Sequence, residues 1–525
     1  MVAIMGAAVR LFAISLEKAP YLVQEEGPEL GTSMDPIFPI ELELPPPGSR
    51  RRLQALHGQL RAAILGGRLK PGLRLPASRS LADALGVARN TVVAAYDLLL
   101  AEGYIAARQG AGVFVGTVAP RTPRLTRDIG DDERLAPLWR QAGPIANPTK
   151  ASDFRYDFRL GVPDTTRFPF DVWQRLLLRA TRRLASAPPA YAEPEGRLDL
   201  RTAIAGHISF SRGVACGPRD VVVTAGAQQG FDILARILVS PGRTKVAVED
   251  PGYPPLRAAF AASGAQIVPA PVDAEGMVVD DLPADIRIIV VTPSHQFPLG
   301  VAMSPRRRMS LLDFAQRHRA VVIEDDYDGE FRFDGRPLDA LQTLDGIGSV
   351  FYFGTFSKCM FPGLRIGFVV TPPWARAAVV AAKQVTDWHS PVLAQAALAA
   401  FISDGHLARH IRAMQKLYAQ RRKALIDALA RHCGRALTGL PNAAGLHMAA
   451  LWAGSGLPDR IEDAAAEAGL AVESLDRYAL VSRRWRGIAL AFGAIRTDDI
   501  DPAIRLLARA IQPRPSRSPS SRKPA

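Results

Sequence analysis

Between about Ala151 and Gln512, short runs rich in β-branched and aromatic residues alternate with longer stretches of helical period. No other feature of the sequence constrains the fold as much. Five runs stand out, at 221–224, 245–248, 286–291, 320–323 and 350–353. Continuous apolar strands separated by helices imply an α/β body with a mostly parallel sheet, because a parallel crossover needs a helix-length connection that covers a face of the sheet. In such sheets, binding groups gather beyond the carboxyl ends of the strands. The residues that follow each run therefore carry the functional argument.

The last run continues through Gly354, Thr355, Phe356 and Ser357 to Lys358. Lysine is scarce, with nine residues in a combined lysine and arginine total of 65, so one placed just past a hydrophobic strand is less readily background. Desolvation there lowers the amine's proton affinity and lets it condense with an aldehyde, which arginine does not do. On this segment alone, an ordinary strand-end lysine snorkelling to water fits equally well.

The other strand ends add chemistry. After the first run, Ala225-Gly226-Ala227-Gln228-Gln229 opens a helix whose free N–H groups suit a phosphate. After the second, Glu249-Asp250-Pro251-Gly252-Tyr253 brings an aromatic ring to the cleft. The fourth ends in Glu324-Asp325-Asp326-Tyr327. Acids at the end of a buried strand require a cation nearby; the alternative is a solvated rim. Arg365 follows Lys358 by seven residues.

With 525 residues there is room for about three domain-sized units, and 48% hydrophobic with 22% charged residues is the balance of a soluble globular chain. No uninterrupted apolar run approaches the roughly 18 residues of a membrane span, so no membrane partner is expected. The net charge of +14 points to a polyanionic partner. Cys216, Cys359 and Cys433 are too few and too scattered for a disulfide framework or a metal cluster, which suits the cytoplasm and leaves no metal expected. Cys359 is a candidate oxidation site beside Lys358. Ala7 to Leu16 is apolar but interrupted by Arg10 and lacks a cleavage site, so it is not a signal peptide. Met34, directly before Asp35-Pro36, is expected to be the true translation start, with residues 1–33 an over-extended reading of the gene.

Residues 1–48 read as an N-terminal extension closed by Pro45-Pro46-Pro47-Gly48, and 49–117 as a compact basic unit. Leu53, Leu56, Leu60, Ile64 and Leu65 recur at helical spacing before Lys70-Pro71-Gly72. Ser78 is expected to cap a helix over 79–85, Gly86 to turn the chain, and 89–102 to form a second helix with Val92, Tyr96 and Leu99 inward. Segments 104–107 and 113–115 flank a glycine-rich tip and predict a hairpin wing. The unit carries ten basic residues against three acidic ones, the footprint expected for phosphate-backbone binding. Residues 118–150 read as a linker with one short helix near 135–141, 151–512 as the α/β body, and 513–525 as a disordered basic tail.

The motifs Leu75-Pro76-Ala77-Ser78-Arg79-Ser80-Leu81-Ala82, Val87-Ala88-Arg89-Asn90-Thr91-Val92 and Gln109-Gly110-Ala111-Gly112 resemble the winged helix-turn-helix of GntR-type transcription regulators. The resemblance implies double-stranded DNA as partner, with Arg79, Arg89, Asn90 and Thr91 at the major groove or its phosphates and Gln109 and Gly110 approaching the minor groove. The strand ends of the body together resemble the class I/II aminotransferases, fold type I of the pyridoxal 5′-phosphate enzymes. That resemblance implies pyridoxal 5′-phosphate as cofactor. Lys358 would form the Schiff base, Asp325 would pair with the ring nitrogen, Tyr327 would bond the ring oxygen, and Tyr253 would stack on the ring. Ala227, Gln228, Thr355, Ser357 and Arg365 would hold the phosphate.

A GntR-type head on such a body resembles the MocR/GabR subfamily, and Thr292-Pro293-Ser294-His295-Gln296-Phe297-Pro298-Leu299-Gly300 fits its signature. Catalytic relatives usually place Asn where Phe297 stands. Their carboxylate-clamping arginine is missing from Gly487-Ile488-Ala489-Leu490-Ala491-Phe492, which leaves Arg484 and Arg486 as candidates for an effector carboxylate. The resemblance implies a cytoplasmic, homodimeric regulator that senses an amine, an amino acid or pyridoxal phosphate rather than turning over substrate. The alternative is an active aminotransferase with an accessory DNA-binding domain.

Overall fold

The computed structural model describes residues 40–511 except 41, 50, 117–133, 141–153, 189, 335–338, 435 and 454–460. The start at Met34, most of the linker and the tail lie outside the described residues. The chain divides into two compact units, Met1–Gly130 and Asp131–Ala525.

In the first unit, α1 (Arg52–Leu65) buries Leu56, Leu60 and Ile64 at the predicted spacing. It is followed by α2 (Ser78–Leu85), a left-handed Gly86 at φ 57°, and α3 (Arg89–Ala101), which buries Val92, Tyr96 and Leu99. The Tyr96 hydroxyl reaches the core satisfied, donating to the Pro76 carbonyl at 2.9 Å. An antiparallel hairpin of β1 (Ile105–Arg108) and β2 (Gly112–Val115) closes the unit, with Ile105 opposite Val115.

Two local expectations change. Ser78 is the first helical residue and makes no capping bond; Ala77 stands at the cap, and the Ser78 hydroxyl accepts from Arg89 Nε at 3.3 Å. Ile40, Leu42 and Leu44 pack against the same core, and Gln59 Oε1 accepts from the Glu43 N–H at 3.0 Å. Apolar residues upstream of residue 49 thus also pack on the core of the head.

The second unit begins with α4 (Pro137–Arg140), β3 (Tyr156–Asp157), α5 (Phe170–Ala185) and α6 (Leu198–Arg212). Strands and helices then alternate: β4 (Val221–Thr224), α7 (Ala227–Leu238), β5 (Lys245–Asp250), α8 (Pro254–Ala262), β6 (Gln266–Asp273), β7 (Gly276–Met277), β8 (Ile286–Val291), α9 (Pro305–His318), β9 (Val321–Asp326), α10 (Leu341–Leu344), β10 (Val350–Thr355) and β11 (Gly367–Val370). The sheet order is β4-β11-β10-β9-β8-β5-β6-β7, parallel from β10 through to β6, with β11 antiparallel to both its neighbours.

Both faces of this sheet are covered, and the side chains alternate accordingly. Phe351 and Phe353 enter a core with Phe231, Ile233 and Val379, whereas Tyr352 enters the opposite core with Leu200 and Ile204. The five predicted strands are all present. Three are longer than predicted at their carboxyl ends, β5 and β10 by two residues and β9 by three, so Asp250, Asp326 and Thr355 are themselves ladder residues. Among the described residues no helix is long and apolar enough to cross a membrane.

Candidate functional site

The carboxyl ends of β4, β5, β9 and β10 open into one cavity of about 640 Å³. All nine residues that the sequence assigned to a cofactor, from Ala227 to Arg365, line it. The strand order explains this convergence: β4 joins the sheet through antiparallel β11, so it runs the same way as β5, β9 and β10, and all four end on the same side of the sheet.

The acids of β9 separate by strand alternation. Glu324 points to one face, where its oxygens accept from the N–H groups of Leu341 at 2.9 Å and Gln342 at 3.1 Å. Asp326, on the same face, accepts from Arg212 Nε and from the Tyr352 hydroxyl, both at 2.6 Å. Asp325 faces the cavity instead. It is 4% exposed, and its Oδ1 is buried without a hydrogen-bond partner. Burial, and then the charges of Asp326 and Asp328, push its carboxyl up to about 8.

Lys358 lies just past β10, and its Nζ donates to the Gly161 carbonyl at 2.7 Å. Burial lowers the amine's proton affinity, against the opposing pull of Asp328 and Asp325. Gly161 is in the left-handed region at φ 83°, and a Cβ there would lie 2.8 Å from Lys358 Nζ. Sequence reasoning missed this contact, since nothing in the local pattern ties residue 161 to 358.

The N-terminus of α7 forms a cradle. Gly226 at φ 79° precedes Ala227, and a Cβ on it would lie 2.7 Å from an Arg365 nitrogen. Arg365 Nη2 donates to the Ala225 carbonyl at 3.0 Å, and the Thr355 and Ser357 hydroxyls are 3.1 Å apart. Gln228 turns its amide to the Pro255 carbonyl at 3.0 Å, so its backbone, not its side chain, is what it offers.

Phe297 anchors an aromatic wall. Its ring meets Tyr253 at 5.2 Å, Tyr478 at 5.0 Å, His447 at 5.5 Å and Tyr327 at 6.1 Å. Tyr327 is held through its hydroxyl, which donates to the His295 carbonyl at 3.0 Å. Ser294 points away and accepts from Arg212 Nη2 at 2.6 Å.

The arginines that line the cavity are Arg159, Arg257, Arg365 and Arg477. The structure does not bring Arg484 or Arg486 to that lining. Arg484 lies over the Trp485 ring at 5.3 Å, and the Arg486 carbonyl accepts from the Trp452 N–H at 2.9 Å. The neighbouring strand Gly487–Ala491 carries no arginine. Arg257 Nη1 donates to the Tyr478 carbonyl at 2.9 Å, which ties that cation to the segment holding Arg477. Cys359, the candidate oxidation site, is 1% exposed, and burial pushes its thiol well above its ordinary range, so it is not a reactive thiolate.

In the head, Arg79, Arg89 and Asn90 are exposed along the starts of α2 and α3, Thr91 is half-buried, and Gln109 and Gly110 are exposed at the hairpin tip. Gly110 sits at φ 75°, which the tight turn requires.

An unpaired buried carboxylate, a desolvated amine, a helix N-terminus beside an arginine and an aromatic wall form the donor set that pyridoxal phosphate fits. Residues 165–468 match the class I and II aminotransferases, and residues 53–115 match the gntR family of bacterial regulatory proteins. The chain is 39% identical over 457 residues to the probable rhizopine catabolism regulatory protein MocR of Rhizobium meliloti, covering 87% of this chain and 92% of that one. It is 32% identical over 442 residues to the pyridoxine biosynthesis transcriptional regulator PdxR of Corynebacterium glutamicum, covering 84% and 92%. Among solved structures, a kynurenine aminotransferase from Pyrococcus horikoshii superposes with a TM-score of 0.64 at 28% identity, covering 69% of this chain and 91% of that one. With both family matches in this order along one chain, and with MocR matched over nearly its whole length, the protein belongs to the MocR/GabR subfamily of GntR-type transcription regulators, which join a winged helix-turn-helix head to an aminotransferase-like body.

Proposed function

We propose that this protein is a cytoplasmic, homodimeric regulator that binds operator DNA through its basic head and pyridoxal phosphate in the cavity of its body. An amine or amino acid entering that cavity, or the cofactor itself, is the signal. The observation that carries this reading is the unpaired Asp325 carboxylate in the same cavity as the desolvated Lys358 amine, on a chain that also carries a winged helix.

When bound, the cofactor supplies an aldehyde that captures primary amines reversibly. Asp325 holds the proton of the ring nitrogen, a cation that satisfies its orphaned oxygen. Tyr327 directs its hydroxyl to the ring oxygen, and Tyr253 covers the ring. The N–H groups of Ala227 and Gln228, with Thr355, Ser357 and Arg365, hold the phosphate. Lys358 would be the amine that holds the cofactor's aldehyde, and the Gly161 carbonyl, which accepts from its Nζ at 2.7 Å, would hold that amine when an effector's amine takes its place. Arg79, Arg89, Asn90 and Thr91 meet the major groove or its phosphates, and Gln109 and Gly110 the minor groove. In a dimer the two heads read spaced half-sites.

Phe297 in place of a polar amide, and a strand Gly487–Ala491 without a clamping arginine, favour sensing over turnover. The effector then changes DNA affinity by no more than its differential affinity for the two states of the protein, and DNA changes effector affinity by the same factor.

Full-length protein reconstituted with pyridoxal phosphate should show a visible absorbance band that is lost in Lys358→Ala and shifted by the effector amine. A gel shift on the gene's own upstream DNA should respond to the same additions. Rapid conversion of the cofactor to its amino form with release of a keto acid, together with no DNA binding at physiological salt, would establish the aminotransferase reading instead.

A further inference from the structure

A buried polar chain leads from the cavity wall into the body, and none of the roles above uses it. Beyond its bond to the His295 carbonyl, the Tyr327 hydroxyl lies 3.0 Å from His295 Nδ1. That same nitrogen lies 3.0 Å and 3.2 Å from the two oxygens of Asp328. On the far side of the ring, His295 Nε2 is 3.1 Å from Asn442 Nδ2. All three supporting side chains are buried: His295 is 1%, Asp328 2% and Asn442 5% exposed.

The tautomer of His295 follows from these partners. Asn442 Nδ2 also donates to the His447 carbonyl at 2.7 Å, and the opposite orientation of the amide would set two oxygens against each other. Nδ2 therefore points its second hydrogen at His295 Nε2, which accepts. The ring's single proton is on Nδ1, shared between Asp328 and the Tyr327 oxygen. Gly445 closes the ring from another side, since a Cβ there would lie 2.0 Å from His295 Nδ1.

We propose that His295, fixed by Asp328 and Asn442, is a positioning residue for Tyr327, its Nδ1–H occupying the acceptor side of the phenol oxygen. The phenol's own proton can then turn from the His295 carbonyl to the oxygen of a bound ring while the phenol oxygen keeps its own donor. Phe297 makes this support necessary. It brings an aromatic edge to the cavity where an amide would have been a second donor, so the aim of the one phenol matters more. The charged and titratable groups facing the phenol are Asp328, Asp325, Glu249 and Asp326, with His295 and the His447 ring alongside. The inference rests on the proposed cofactor reading.

The test follows the visible absorbance of the reconstituted full-length protein between about pH 5 and pH 10. A hydrogen bond to the ring oxygen stabilises negative charge there, so losing it raises the pH midpoint of the bound cofactor. Tyr327→Phe is the reference and raises it. His295→Leu should raise it by roughly half a unit, a threefold change in proton affinity. His295→Asn, which can place an N–H where Nδ1 was, should return the midpoint towards the wild-type value. His295→Gln, whose amide reaches the Nε2 position, should not. Equal midpoints for the Asn and Gln variants, or a His295→Leu midpoint equal to wild type while Tyr327→Phe moves, would overturn the inference.

If His295→Leu does not fold, Asn442→Leu decides. Asn442 touches neither Tyr327 nor the cavity, yet its loss lets the ring proton move to Nε2. An upward shift supports the proposal, and an unchanged midpoint sinks it. A wild-type protein that shows no visible band would instead defeat the cofactor reading.

Discussion

Three neighbouring acids at the end of β9 meet three different fates, and their backbone decides which. Glu324 and Asp326 share one face, where backbone N–H groups hold Glu324 and Arg212 and Tyr352 both hold Asp326 Oδ2, while Asp325, on the other face, turns an unpaired oxygen to the cavity. Burial first, then like charge, holds Asp325 up at about 8 and Glu324 at about 7, and Glu249, another buried acid, is also pushed to about 7 by burial. A carboxyl raised in the fold adds stability that is complete below its unfolded value of about 4 and is lost as pH rises through the raised value. Cofactor-free protein is therefore expected to melt progressively lower as pH climbs from about 4 to about 8, and Asp325→Asn to flatten that fall by about 2 °C or more in a thermal melt. An equal fall in wild type and variant would show that Asp325 is not among the acids responsible. The sequence indicated the chemistry of these residues but not their partners. Gly161 and Asn442 were invisible in it, because their roles arise from contacts across 197 and 147 positions of chain.

Among the elements, the central strands were the most legible, since a strand buried on both faces writes itself as a continuous apolar run. Three of their carboxyl ends were read two or three residues short, because Asp250, Asp326 and Thr355 look like loop residues and pair in the ladder only because neighbouring strands extend beside them. Ser78 misled in the same way: a serine before a helix usually caps it, but here its hydroxyl is turned to Arg89. Helix α7 packs on the sheet at Gly230, where a Cβ would lie 2.2 Å from the Phe353 ring. Gly230→Val should force helix and sheet apart and destabilise the body by about 1–3 kcal/mol, read as a lower denaturation midpoint. Because α7 also presents Ala227 to the cavity, the same variant should bind the cofactor more weakly; unchanged affinity would mean that the cradle does not depend on this packing.

For the molecule as a whole, the two compact units predict separable behaviour. Binding to DNA should weaken steeply with salt, and Arg79→Ala or Arg89→Ala should each reduce the slope of log affinity against log salt by about 1 while leaving the cofactor's absorbance untouched. Asp325→Asn should do the converse, and a salt slope that changed with Asp325 but not with Arg89 would reverse the assignment of the two units. Sequence alone determined that there is a basic winged head and a parallel α/β body, because hydrophobic period, glycine turns and charge density are local properties that survive in a string of letters. Only the tertiary structure decided which of the three acids faces the cavity, which arginines line it and what holds Tyr327. Those outcomes depend on strand order and face, which bring distant residues within hydrogen-bond reach and set how much water each one loses.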